Sequence, residues 1–184
     1  FTVTAINAMK DGCPPATKFF PEEDVVKGTA YHAVMENLPF TLQSEEEAAS
    51  MLKKFVSDGL ITEEEAADIS VKRLFAGVKK VASLVGDRKV YREKSFLLHL
   101  PASEAGVADV EDEVEVQGKI DLLALGEEDA VIVDYKLSAH TREELIETYR
   151  AQLSLYALAV QKGFGVSRIR KYIFVLGRNE VIEL

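Results

Sequence analysis

The chain has one cysteine, Cys13, and no tryptophan in 184 residues. A lone thiol rules out an intrachain disulfide and any zinc or iron–sulfur site built on four cysteines. It fits a reducing, cytoplasmic setting. No run approaches the roughly 18 apolar residues that a membrane-spanning helix needs, so no membrane association is expected. Phe1 is not an initiator methionine, and no apolar signal-peptide core follows it. The expectation is a piece of a longer protein, with residues 1–20, broken by Pro14 and Pro15, as a lead-in from a preceding domain. Positive charge is scarce as well: 22 Lys and Arg face 31 Asp and Glu, for a formal net charge of −9. That balance weighs against a free-standing polyanion binder, whose contacts come mostly from Lys and Arg. It leaves room for an enzyme whose bound cations supply local positive charge.

What remains is ordinary globular material, 47% hydrophobic and 29% charged. Spacings of three and four through Val25, Val26, Thr29, His32, Ala33 and Glu36 predict a helix over 22–38, stopped by Pro39. Ser44 with Glu47 predicts a capping box opening a second helix to Gly59. Thr62 with Glu65 predicts another, opening one helix that continues to Gly86. The apolar stripes of these two helices read as a pack covering a core, with no chemistry on them. Strand patterns follow at 90–100 and 114–125, separated by an acidic loop at 101–113. The second strand alternates, with Val114, Val116, Ile120 and Leu122 on one face and Gln117, Lys119 and Asp121 on the other. After a turn at 126–129, residues 130–137 are almost continuously apolar, as in a central strand covered on both faces. Thr141 and Glu144 predict a capping box for a long helix ending at Gly163. A strand at 168–177 and an edge strand at 180–184 close an α+β core with a helical insertion (44–86) ahead of it.

Two aspartates interrupt the apolar strands: Asp121 in KIDLLAL and Asp134 in VIVDYKL, the latter two residues before Lys136. Side chains two apart on a strand share a face. A carboxylate buried in such a strand is costly unless a cation or hydrogen bonds compensate. Two readings are open: an Asp–Lys ion pair at the end of a sheet, or a hard divalent-metal site with a lysine beside it. His32 and Glu36 share one face of their helix, although a histidine there can equally be a satisfied core residue. Glu93 in YREKSF can join a site or pair with a lysine. Tyr149, Gln152 and Tyr156 lie along one side of the long helix, suited either to phosphate and base contacts or to packing on the sheet. His99 and His140 carry no supporting pattern.

Taken together, GTAYHAVMENLPF (28–40), YREKSF (91–96), GKIDLL (118–123), VDYKLS (133–138) and QLSLYALAV (152–160) resemble the RecB-type nuclease domains of the PD-(D/E)XK superfamily. Within these the chain looks most like the AddA type, in which the nuclease domain follows a helicase. The resemblance implies an α/β/α restriction-endonuclease-like core: a central mixed sheet flanked by helices, the nuclease domain spanning 21–184. It implies a Mg²⁺-dependent deoxyribonuclease, Mn²⁺ substituting, that hydrolyses single-stranded DNA as an exonuclease during double-strand break processing. Metal ligands would be His32, Asp121, Asp134 and the backbone carbonyl of Tyr135. Asp121, Asp134 and Lys136 would be catalytic, with Lys136 as base or water-orienting group. Gln152, Tyr156 and Glu93 would support the site or the DNA strand. Implied partners are DNA, N-terminal helicase domains of the parent chain and an AddB-like protein. Relatives that clamp an iron–sulfur cluster use four cysteines, so no cluster is expected with Cys13 alone. The alternatives are a non-catalytic DNA-binding or docking module on the same fold, and a stand-alone exonuclease.

Overall fold

The structure, a computed structural model, describes residues 22–101 and 113–184, with the backbone alone for 22–29, 113 and 114. The lead-in at 1–20 and nearly all of the acidic loop lie outside the described residues. The element order is α1 (Glu22–Asn37), α2 (Glu45–Ser57), α3 (Glu63–Asp68), α4 (Val71–Val85), β1 (Lys89–Pro101), β2 (Glu113–Leu125), β3 (Asp129–Lys136), α5 (Arg142–Phe164), β4 (Arg168–Val175) and β5 (Glu180–Glu183).

Local chemistry explains most boundaries. Thr62 and Thr141 each make a full capping box, with Glu65 and Glu144. Ser44 caps α2 through the Glu47 N–H, but the Glu47 carboxylate reaches the Gln43 N–H (2.8 Å), so the predicted reciprocal box is displaced by one residue. The single helix expected from Thr62 to Gly86 is two helices. Ile69 is extended and buried, and Ser70 caps the next helix by accepting from Arg73 N–H. The break sinks Ile69 into the core while α4 lays Leu74, Val78, Val81 and Val85 on the sheet. Each such burial is worth roughly 1.5–3 kcal/mol, more than a turn of helix. At the other end, α5 runs past Gly163 to Phe164 and stops where Gly165 takes the left-handed conformation (φ 72°) that glycine tolerates.

The strands form one mixed sheet ordered β1-β2-β3-β4-β5. Only β3 and β4 are parallel, joined by the α5 crossover. Helices α1–α4 cover one face and α5 the other, and Ala130–Tyr135 of β3 is buried throughout. The insertion is tied to the β4–β5 turn: Asn179 Nδ2 donates to the Arg73 carbonyl (2.7 Å), and Lys80 Nζ donates to the Asn179 carbonyl (2.7 Å).

The β1–β2 ladder departs from simple alternation at one point. Pairing runs in constant register on both sides of Glu93 and Asp121, which face each other at a gap in it. Glu93 has φ 51°, unusual for a residue with a side chain. Both strands turn over there. Val116 and Ile120 pack on the α5 side, whereas Leu122 packs with α1–α4; on β1, Phe96 and Leu98 face α5 and Val90 faces the other way. The predicted common face of Val116, Ile120 and Leu122 is therefore split at Asp121. The β2–β3 ladder also stops beside this point, with Leu122 opposite Val133 as its last pair.

Candidate active site

The opening between β2 and β3 is where the polar side chains gather. Beyond the last ladder pair, the Tyr135 N–H donates to Asp121 Oδ2 (2.8 Å) instead of to a strand carbonyl. Asp121 thus satisfies a backbone donor that burial would otherwise orphan. The same Oδ2 lies 3.1 Å from His32 Nε2 on α1, and His32 Nε2 is also 3.2 Å from Glu36 Oε1, one helical turn on. One ring nitrogen cannot donate fully to both carboxylates. The Tyr135 ring meets the His32 ring edge-on at 5.6 Å and holds it from the core side.

Asp134 is 1% exposed, on the α5 side of the central strand. Lys136 Nζ sits 2.7 Å from its Oδ2, so the two side chains do share a face. Gln152 Nε2 donates to Asp134 Oδ1 (3.1 Å) and to Tyr156 Oη (2.8 Å). Tyr149, one turn earlier on α5, places its ring 4.6 Å from Lys136 Nζ. Its π face favours the ammonium. The stripe Tyr149–Gln152–Tyr156 therefore packs on the sheet and also fixes the two charged groups of β3.

Glu93 stands across from Asp121. Its carboxylate pairs with Lys119 and forms, with His32 and Glu36, a group whose ligand atoms all lie within 4.8 Å of one another. His99 and His140 are largely exposed and pair with Glu115 and Glu144, away from this group. Arg92 is a participant that the motifs do not single out. Its guanidinium stacks 4.5 Å from the Phe40 ring and donates to the Glu36 carbonyl, bracing the end of α1 against β1. Its sole signal in the sequence is its place beside Glu93, in a strand of otherwise unremarkable charge.

The electrostatics of the group are one-sided. Burial pushes the Asp134 carboxyl up to about 6, even though Lys136 opposes the shift. Burial and the hydrogen bond with Glu93 push Glu36 up to about 7. For His32 and Lys136, burial works in the opposite direction and is outweighed. The Asp121 carboxylate holds His32 above the ordinary imidazole value, and Asp134 with Asp121 holds Lys136 above the usual lysine range. Acids and bases all moving up means excess negative charge in a poorly solvated place. His32 Nε2 and Asp134 Oδ2 are buried and, despite their charged neighbours, make no well-formed hydrogen bond. Imidazole nitrogen with hard carboxylate oxygens suits Mg²⁺ or Mn²⁺, and a dication would relieve both the charge excess and the unsatisfied atoms.

This geometry has counterparts among known proteins. The family model described as the PD-(D/E)XK nuclease superfamily matches residues 9–182. The chain is 32% identical over 172 residues to the AddA ATP-dependent helicase/nuclease of Ruminiclostridium cellulolyticum, covering 86% of this chain and 13% of that protein. It is 35% identical over 165 residues to the protein of the same name from Ligilactobacillus salivarius, covering 85% and 13%. With the Oceanobacillus iheyensis protein of that name the identity is 30% over 171 residues, covering 86% and 14%. The chain thus spans about an eighth to a seventh of these relatives.

Proposed function

Because the chain belongs to the PD-(D/E)XK nuclease superfamily, we propose that it hydrolyses phosphodiester bonds of single-stranded DNA, with Mg²⁺ as cofactor and Mn²⁺ able to replace it. The relatives' name, ATP-dependent helicase/nuclease, supports placing the domain behind a helicase. In that setting an exonuclease would trim strands during double-strand break processing, helped by helicase domains of a parent chain and an AddB-like partner in the cytoplasm. A helicase that delivers the strand would also offset the weak polyanion affinity of a chain with net charge −9.

The observation that carries the reading is the open β2–β3 ladder, where His32, Asp121, Asp134 and Lys136 meet from a helix and two strands. His32, Asp121, Asp134 and the Tyr135 carbonyl would hold the metal. Bound there, a divalent cation supplies Lewis-acid polarisation of the phosphate and a hydroxide source at neutral pH. The chain's own groups do the rest. Lys136, held by Asp134 and the Tyr149 ring, presents N–H donors where charge builds on the phosphate oxygens. Gln152 fixes the Asp134 carboxylate so that one oxygen faces α5 and the other faces the lysine. Arg92 and Phe40 hold the end of α1, and with it Glu36, in place.

The test is cleavage of a labelled single-stranded oligonucleotide with Mg²⁺ by wild type, Asp134→Ala and Lys136→Ala. Loss of at least about a hundredfold in each variant is expected for removing a ligand or a preorganised charge. Equal activity in all three would overturn the assignment. A wild type that binds DNA but never cleaves it would favour a docking module.

A further inference from the structure

Away from the site, two cations share one aromatic ring. Lys89 and Lys94 on β1 place Nζ 5.1 and 5.8 Å from the centroid of Tyr91. Among the described residues neither lysine pairs with a carboxylate, although the chain holds 31 acidic side chains. Phe164, the last residue of α5, lies 6.1 Å from Tyr91 with its plane tilted by 39°, and it is 39% exposed. β1 is a terminal strand of the sheet, so this cluster is open along one side. Lysines on an edge strand can simply discourage edge pairing. That role does not account for an exposed phenylalanine brought to the same place by a helix from the other end of the fold.

The chemistry of the cluster matches a single-stranded polynucleotide. An ammonium resting on a ring still has N–H donors pointing outward for phosphate oxygens. An exposed aromatic ring offers a stacking surface that any base can use. Tyr91 is two residues before Glu93, and at about 3.3 Å of rise per strand residue the cluster lies roughly 7 Å along β1 from the Glu93–Asp121 row. We propose that Lys89, Tyr91, Lys94 and Phe164 form a subsite that holds single-stranded DNA beside the active site. Phe164 stacks a base, and the two lysines, propped on Tyr91, take phosphates. This subsite rests on the nuclease reading above and adds to it where the strand lies.

Binding of a fluorescent oligothymidylate, followed by anisotropy in EDTA, tests the subsite without cleavage. Phe164→Ala should weaken binding about tenfold and leave its salt dependence alone. The double variant Lys89→Glu/Lys94→Glu should weaken binding and reduce the log–log salt slope by about 1.4, for two phosphates at about 0.7 each. Lys53→Glu/Lys54→Glu, two exposed positions on α2, makes the same change in net charge and should reduce the slope far less. Equal loss in the α2 control, or unchanged affinity in Phe164→Ala, overturns the subsite. If wild type cleaves DNA in Mg²⁺ while every variant binds like wild type, the subsite falls and the nuclease reading stands. If wild type neither binds nor cleaves, both fall.

Discussion

Without metal, the chain should lose stability as pH rises from about 4.5 to 7.5, the reverse of ordinary acid denaturation. Asp134 ionises near 3.8 in an unfolded chain and at about 6 in the fold. Between those values the folded chain keeps a proton that unfolding releases, so stability falls as pH rises. At about 1.4 kcal/mol per pH unit across that interval, the loss comes to about 3 kcal/mol. For a chain of this size that corresponds to roughly 6–12 °C in Tm. Glu36, raised from 4.5 to about 7, extends the decline to neutral pH. His32 adds to it in the same sense, because stability from a raised imidazole pKa is present below its unfolded value and lost as pH climbs through the folded one. Asp129, Glu46 and Glu144 act the other way, but their lowered pKa values confine their effect to more acidic solution. Thermal melts by circular dichroism in EDTA would follow the trend. Asp134→Asn should flatten the acidic half of the curve, since asparagine carries no proton to release. A Tm that is level or rising over this range, or an equal slope in Asp134→Asn, would refute the picture of a desolvated, negatively overcharged site.

Three further substitutions probe the site and its supports. Glu93→Gly removes a side chain from a left-handed backbone (φ 51°) and should stabilise the chain by about 1 kcal/mol in denaturant titrations while lowering nuclease activity; a destabilised variant would show that the turn is not strained. Gly77→Ala brings a Cβ to 2.9 Å from Asn179 Oδ1 and 3.3 Å from the Phe174 ring. It should cost about 1–3 kcal/mol in the same titration, because Asn179 is already bonded to α4. Tyr149→Leu removes the ring beside Lys136 and should cut kcat by about tenfold, whereas Tyr149→Phe restores most of it. A leucine variant as fast as wild type would leave Tyr149 a packing residue.

The order and kind of the sheet elements were legible because each rests on local chemistry: the Thr62–Glu65 and Thr141–Glu144 boxes, the continuous apolar run of β3, and the alternation of β2 before Asp121. Where expectation failed, a tertiary preference overrode a local one. The helix after Thr62 breaks because burying Ile69 outweighs one more turn. The faces of β2 exchange at Asp121 because Glu93, opposite it on β1, adopts a backbone that no propensity reveals. Of the candidate site, D-x-K on one strand and Q-x-x-x-Y on one helix carry their internal geometry with them, since period two and period 3.6 fix neighbours. His32 beside Asp121 required the motif order, because nothing local links a helix to a strand so far along the chain. Arg92 against Phe40 and Lys136 against Tyr149 could not be read at all. They depend on how α1 and α5 lie across the sheet.

The central claim is that His32, on a helix before the sheet, and Asp134, in its middle, serve one metal. Calorimetric titration of Mn²⁺ into wild type, His32→Ala and Asp134→Ala tests it most directly. Saturable binding to wild type, weakened at least about tenfold in each variant, is the predicted result. No binding to wild type, or binding that both variants keep unchanged, would contradict it.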